Sequence, residues 1–376
     1  MRFATVVLGA VLLGLTACGH SRPLPTLPAS HGQLSWDMDQ YLNPRPYSPP
    51  VYLGVLAPRR DTGPSVSVTA EEAPAIFAEA TRVLAGKPTE EQVRQAQADL
   101  RAACVLADLR QACDFLSEEF EPPVGYSRVV HEFPHEVYRK KTLAMVIVGF
   151  IVGTNGRPRD IRLVESATDA LDQAVLRTVA SMRFYPATLA GHPIEGYYTV
   201  KRDTVTSEMD LTPEQELAWG IARVKSFPNS IDAWGHLARA MARDRAEDPG
   251  YEEALRGLNQ LSPEYWWSAT ELAWLYARAG RHEEAAPLAL IGRRRARDNA
   301  YALETSALVA FHQGRCQQAV QEQREAVMKL PAEWPREERE RFQRTLTTYQ
   351  EKCATGPAPA SPQAASTLDA ATPEVP

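Results

Sequence analysis

The chain has 376 residues, 44% of them hydrophobic, so it is long enough for two or three compact domains, each with its own core. The 41 basic and 47 acidic residues give a net charge of -6. This balance lacks the strongly basic field of a nucleic-acid-binding protein, so we expect no nucleic-acid partner.

The first 17 residues have the parts of a bacterial export signal. Arg2 supplies a positive charge, an apolar run covers residues 6–15, and small residues precede Cys18. This order predicts a signal peptide over residues 1–17. A cysteine directly after the cut resembles the lipobox of bacterial lipoproteins, and the resemblance implies that Cys18 becomes the acylated N-terminus. An ordinary cleaved signal with an incidental cysteine is the alternative.

The residue after Cys18 bears on the location of the protein. It is Gly19 rather than Asp, which in such lipoproteins implies sorting to the outer membrane. No later apolar run has the length of a bilayer span. We therefore expect the remainder of the chain to face the periplasm, held to the membrane by the lipid anchor.

Four cysteines remain once Cys18 is set aside, an even number that suits an oxidising compartment. We predict disulfides between sequence neighbours, Cys104 with Cys113 and Cys316 with Cys353. A metal site is one alternative, although neither spacing is of the CxxC type and no histidine lies near the first pair. Free buried thiols are the other alternative.

Two segments precede the first expected strand. Residues 18–65 are rich in proline, which predicts a tether that extends rather than packs, although its aromatic residues could dock locally. Residues 66–121 are expected to be a helical segment. Thr89 followed by Glu90 and Glu91 is an N-terminal helix signature, and apolar residues recur at helical spacing after it.

Residues 124–206 have the pattern of a small α+β domain. Residues 143–152 are rich in β-branched residues, Asn155-Gly156 predicts a turn, and a second strand follows. A helix capped by Thr168 or Asp169 comes next, and residues 193–205 predict a third strand. The order of strand, turn, strand, helix and strand predicts one helix packed on a small sheet.

This stretch resembles the C-terminal domain of TonB, the bacterial energy transducer. The resemblance rests on Phe150, Val152, Asn155, Gly156, Arg183, Phe184, Pro186, Ala187, Gly191 and Pro193, with Phe133 and Pro134 matching the aromatic-proline pair ahead of the first strand. It implies a receptor's periplasmic peptide as partner, in TonB-linked transport across the outer membrane. Ala144 stands where a glycine is usual, and a lipid anchor replaces the inner-membrane helix. We therefore do not expect energy transduction by the TonB route.

Residues 212–355 show a repeated helical pattern with the tetratricopeptide period of 34 residues. Three pairs of small residues have this separation: Ala273 and Ala307, Gly280 and Gly314, and Ala285 and Ala319. We expect an all-α tetratricopeptide-like domain whose last helix, carrying Cys353, caps the stack. Residues 356–376 are too polar and proline-rich to bury a core and are predicted to be a disordered tail.

The sequence contains no catalytic, cofactor-binding or metal-binding signature. There is no GxSxG elbow, HExxH pair or phosphate-binding loop. His131 and His135 have Pro134 between them, which argues against a helical metal pair. We therefore expect no enzyme activity, no cofactor and no metal.

Two residue groups allow more than one interpretation. The cluster Arg293, Arg294, Arg295 and Arg297 suits anionic lipid or an acidic partner, but also a solvated helix C-terminus. Tryptophans concentrate in the repeat region, where they are expected in the core, with one or two lining a peptide groove. They are Trp234, Trp266, Trp267, Trp274 and Trp334.

These features lead to two hypotheses, both for a protein-binding envelope lipoprotein. In the first, an extended periplasmic peptide adds to an exposed sheet edge at residues 194–200, contacting Ile194, Tyr197, Tyr198 and Val200. Tyr197 and Tyr198 would lie on opposite faces. In the second, the repeats are an envelope scaffold that binds assembly or peptidoglycan-related partners.

Overall fold

The computed structural model describes residues 27–42, 68–107, 109–126, 143–203 and 211–355. The predicted signal peptide, Cys18 and the predicted C-terminal tail lie outside these residues. The described chain combines helices with small antiparallel sheets, which confirms the expected α+β domain with helical repeats.

A three-helix segment precedes the α+β domain. Thr89 begins its longest helix through a capping box, in which its hydroxyl accepts from the Gln92 amide and the Gln92 side chain accepts from the Thr89 amide. A disulfide joins Cys104 to Cys113, as predicted, with a Cα–Cα distance of 4.8 Å. The helices are α2 (Ala73–Leu84), α3 (Glu90–Val105) and α4 (Arg110–Glu118).

The α+β domain has one helix packed on a three-stranded antiparallel sheet. Its central strand is buried over most of its length, and Val146, Val148, Phe150 and Val152 on one face pack against the helix. Gly156 makes the turn between the first two strands with a φ of 71°, as the Asn-Gly pair predicts. The elements are β3 (Met145–Val152), β4 (Pro158–Glu165), α5 (Asp169–Ser181) and β8 (Gly196–Asp203), with strand order β4-β3-β8.

Five short strands connect this domain to the three-helix segment. Ala187, Leu189 and Ile194 are at most 2% exposed and pack in one core with α2, α3 and α4. The strands are β1 (Phe120–Glu121), β2 (Val124–Gly125), β5 (Phe184–Tyr185), β6 (Ala187–Leu189) and β7 (His192–Ile194). They pair as β1-β6-β7 and β2-β5.

The repeat domain stacks helices in pairs. Ala273 and Ala307 are fully buried, and Gly280 and Gly314 end their helices with φ values of 79° and 72°, so equivalent positions recur as the 34-residue spacing predicts. The helices are α6 (Pro213–Ser226), α7 (Ile231–Asp244), α8 (Pro249–Leu261), α9 (Trp266–Arg278), α10 (His282–Arg295), α11 (Ala300–His312), α12 (Cys316–Lys329) and α13 (Arg336–Thr355).

The last helix is fixed to the final pair by covalent and ionic contacts. Cys316 at the start of α12 is joined to Cys353 in α13 by the second predicted disulfide. Arg341 of α13 makes a bidentate ion pair with Glu304 of α11, at 2.7 and 2.9 Å, and both side chains are buried. The open end of the stack is therefore closed by α13.

The structure differs from the expected tether in one stretch. Residues 33–42, which the sequence places in an extended segment, form helix α1 (Gln33–Leu42) on the repeat domain. The physical reason is local composition. No proline lies between Pro28 and Pro44, and this interval carries apolar side chains such as Trp36 and Met38 that can be buried.

A buried ion pair joins the α+β domain to the repeats. The Arg223 guanidinium in α6 donates to both carboxylate oxygens of Glu165 in β4, at 2.9 and 2.8 Å, and the Ser230 hydroxyl donates to the same carboxylate. Arg223 also contacts Asp232, which reaches Lys201 of β8 at 3.3 Å. These contacts hold one end of the sheet against α6 and α7.

Candidate partner-binding surfaces

Strand β8 lies at one edge of the three-stranded sheet. Its eight residues pair with β3 in unbroken antiparallel register, from Met145 opposite Asp203 to Val152 opposite Gly196. Within the described ranges no strand pairs with its other side. An edge of this kind presents backbone N–H and C=O groups to an incoming strand.

The two tyrosines of β8 lie on opposite faces, as strand alternation predicts. Tyr198 faces α5 and packs against Phe150 and Phe184, with ring centroids 5.7 and 5.1 Å away. Tyr197 lies across Gly149 on the other face, so close that a Cβ at Gly149 would sit 2.1 Å from its hydroxyl oxygen. Burial raises the pKa of Tyr197. Both rings therefore shape the sheet more than they offer free contact area.

The other residues proposed for this edge are distributed differently. Val200 is 5% exposed and belongs to the core under α5. Ile194 is a correction, because it lies in β7, pairs with Ala187 and is buried against the three-helix segment. The chain passes from one sheet to the other at Glu195, so the predicted single strand is two. Phe133 and Pro134 lie outside the described residues.

The second surface is a groove along the repeats, lined by the first helices of successive pairs, α7, α9 and α11. Its floor carries polar groups as well as rings. Glu271, Trp267 and Trp274 come from α9, while Asn299 and Thr305 come from the start and middle of α11. All five side chains are at most 1% exposed, because residues 27–42 lie in the groove.

The backbone of this N-terminal segment is bound by groove side chains. The Gly32 amide donates to Glu271 at 3.0 Å, and the Asn299 side-chain amide donates to the Ser35 carbonyl at 3.0 Å. The indole N–H of Trp274 donates to the Pro28 carbonyl at 3.0 Å. These three hydrogen bonds involve backbone atoms of the segment, so they depend on its backbone conformation rather than on its side chains.

Side chains of the segment add further contacts. The Ser35 hydroxyl donates to Glu271 at 3.0 Å and accepts from the Trp267 indole at 3.1 Å. His31 contacts the Thr305 hydroxyl at 3.0 Å and lies on the Trp274 ring, with centroids 3.9 Å apart. The segment is therefore held by a connected hydrogen-bond network.

Burial sets the protonation of two groups in this network. It raises the pKa of Glu271 to about 7, although donation from the Gly32 amide and from the Tyr251 and Ser35 hydroxyls offsets part of the effect. Burial, with the charges of Arg341 and Arg278, lowers the pKa of His31 well below its usual value. At neutral pH His31 is therefore uncharged.

The arginine cluster is engaged inside the protein. Arg295 pairs with Glu264 at 2.7 Å, and Arg293 pairs with the buried Glu322 at 2.7 Å. Arg297 pairs with Asp114 of the three-helix segment at 2.9 Å. These partners favour a structural role over binding of lipid. Within the described ranges there is also no group of three His, Cys, Asp or Glu side chains placed to hold a metal.

Sequence reasoning missed the docked segment, but one signal for it exists. Helix α11 is buried at every residue from Ala300 to Ala310, and α9 is buried from Trp266 to Trp274. A helix buried on all sides needs cover on the face that points away from its own pair. The sequence signal is that "AYALETSALVA" and "WWSATELAW" carry apolar or small side chains at nearly every position, rather than on one face only.

Together these features define a two-part protein, with a small α+β domain and a helical-repeat domain that present interaction surfaces. Residues 130–202 match the family model described as Gram-negative bacterial TonB protein C-terminal. This match confirms the resemblance of the α+β domain to the C-terminal domain of TonB, which its motifs indicated.

The other comparisons are more distant. No curated relative matches the chain. Two similar solved structures are the MamA RS-1 ArsTM double mutant and MamA 41-end from Desulfovibrio magneticus RS-1. Each has a TM-score of 0.29 and 13% identity, covering 37% of this chain and 84% of the other. None of the described helices combines the length and hydropathy that a bilayer span requires.

Proposed function

We propose that this protein is a protein-binding module of the bacterial cell envelope that receives an extended peptide at the edge of β8 that no described strand covers. The observation that carries the proposal is the strand order β4-β3-β8, in which β8 pairs with β3 on one side. A peptide strand added on the other side would satisfy the backbone groups of both chains.

The family match supports the class of partner. A TonB-type C-terminal domain at residues 130–202 favours periplasmic segments of outer-membrane receptors as ligands, in TonB-linked transport. Acylation of Cys18 and attachment to the outer membrane, facing the periplasm, are part of the same proposal. They rest on the signal-like N-terminus of the sequence.

The scaffold hypothesis receives less support. A repeat scaffold would most simply use its groove for partners, but residues 27–42 lie there and bury its polar floor. Binding of assembly or peptidoglycan-related partners would then require either another face of the repeats or displacement of residues 27–42. The β8 edge is therefore the better candidate surface.

Photo-cross-linking in cells tests the proposal. A photoreactive amino acid at Thr199, which is exposed on β8, should give a defined adduct with an envelope protein. The same amino acid at Gln173, exposed on α5 of the same domain, is the matched control and should not. Equal adducts from both positions would argue against binding at the edge.

Hydrogen exchange then tests the mode of binding. A peptide from the cross-linked partner should slow amide exchange in residues 196–203, because edge amides gain hydrogen bonds when a strand is added. Protection confined to α6–α13, with β8 unchanged, would refute strand addition and favour the repeat domain as the working part.

A further inference from the structure

We infer that the groove formed by α7, α9 and α11 is a peptide-binding site whose ligand is the chain's own segment, residues 27–42. The repeats then act as a clamp on the N-terminal end of the protein. This assigns a role to the repeats that the β8 proposal does not require.

The chemistry of the groove supports binding rather than plain core packing. A core that only fills space is built from apolar side chains, whereas this groove buries a carboxylate, an amide and two indole N–H groups. Glu271, Asn299, Trp267 and Trp274 each form a hydrogen bond with the segment. A few converging polar groups in an aromatic-lined cleft are typical of ligand sites.

The segment has features that fit it to this site. Gly32 has a φ of 52°, and a Cβ there would lie 2.8 Å from the Ala242 carbonyl oxygen of α7, so a side chain is strongly disfavoured. Ser35, one helical turn later, uses its hydroxyl on Glu271. Met38, a further turn along, is fully buried with Tyr301 and Phe342. The recognised pattern is therefore Gly-x-x-Ser-x-x-Met.

The covalent connection does not force this placement. Residues 43–67 link the segment to the three-helix segment, and a chain of that length reaches up to about 90 Å when extended. The segment is thus free in principle to leave the groove, and its contacts hold it there. A second ligand could enter by supplying the same pattern and displacing it.

Combined with the proposed acylation of Cys18, the clamp has a spatial consequence. Eight residues lie between Cys18 and residue 27, and a fully extended chain of this length spans at most about 32 Å. The groove would therefore lie close to the membrane. This limit applies to the repeat domain, which forms the groove, and not to β8, which belongs to the α+β domain.

The experiment uses the purified, unacylated Cys18→Ser protein with a specific protease site inserted between Arg60 and Asp61. After native cleavage, the N-terminal fragment should co-elute with the remainder on gel filtration. Gly32→Val should release it, because the side chain clashes with the Ala242 carbonyl. Gly54→Val, in the same fragment but outside the docked residues, is the matched control and should not.

Further measurements distinguish a segment that is a bound ligand from one that is part of the core of the repeat domain. A fluorescent peptide of residues 27–42 should bind saturably to the cleaved Gly32→Val protein after its fragment is removed, and the Gly32→Val peptide should bind at least tenfold more weakly. Release of the unsubstituted fragment as readily as the variant would overturn the inference. Loss of repeat helicity on release would also overturn it, because the segment would then be core rather than ligand. Neither result depends on acylation or on β8.

Discussion

The ion pair between Glu165 and Arg223 is expected to hold the α+β domain on the repeats. Arg223→Met removes the guanidinium that donates to both oxygens of Glu165. Glu165 keeps the Ser230 hydroxyl, and Asp232 keeps Lys201, so the main loss falls on Glu165. A buried carboxylate is then left without its countercharge.

The size of the effect follows from burial. The exposed fractions of Arg223 and Glu165 are 4% and 1%, so solvent shields neither charge. Two hydrogen bonds to charged groups contribute about 1.5–3 kcal/mol each. Removing one partner of a buried pair costs about 3–5 kcal/mol. We therefore expect Arg223→Met to lower the free energy of unfolding by about 3–5 kcal/mol.

Urea titration followed by tryptophan fluorescence and circular dichroism measures this. Glu165→Leu combined with Arg223→Met should recover most of the loss, because no buried charge is then left unpaired. Arg177→Met, at an exposed position of α5, is the control and should change stability by less than about 0.5 kcal/mol. If Arg223→Met stays within 1 kcal/mol of wild type, or the double variant is no better, the reasoning is wrong.

Three further predictions concern other parts of the molecule. Replacing Cys316 and Cys353 together by Ala should lower the free energy of unfolding by about 4 kcal/mol in a urea titration, since their bond closes a loop with a sequence separation of 37; an unchanged midpoint would contradict this. The pKa of Glu271 is raised from 4.5 to about 7 in the folded state, so folding favours the protonated carboxyl group. As pH rises through that interval, the free energy of unfolding of wild type should fall by up to about 3 kcal/mol relative to that of Glu271→Gln. Parallel pH profiles would exclude this linkage. Gly156→Ala should lower the free energy of unfolding, measured by thermal unfolding, by more than about 2 kcal/mol, because its Cβ would lie 2.1 Å from the Phe184 carbonyl oxygen. An unchanged stability would mean that the turn relaxes to accommodate the methyl group.

The repeat domain was predictable because its signals are local and periodic. Small residues at a spacing of 34 mark where paired helices meet, and the structure buries Ala285 and Ala319 completely at those positions. Gly280 and Gly314 likewise adopt the positive φ that helix ends favour. The hairpin at Gly156 was predictable for the same reason.

Contacts between distant parts of the chain were not predictable in this way. Glu165 and Arg223 are 58 residues apart, and a charged residue at the end of an alternating strand is normally solvated. The docking of residues 27–42 joins residues that are more than 200 positions apart in the sequence, such as Gly32 and Glu271. In both pairs, the sequence around one residue gives no information about which distant residue it contacts.

The shared core under β6 and β7 determines where an independently folding unit begins. A fragment cut at residue 124, as the family resemblance suggests, would uncover Leu189 and Ile194 by removing α2, α3 and α4. Such a piece would present a sticky apolar face and tend to associate with itself. A soluble fragment that contains the TonB-like domain should therefore begin before α2 and keep the disulfide-bonded helices.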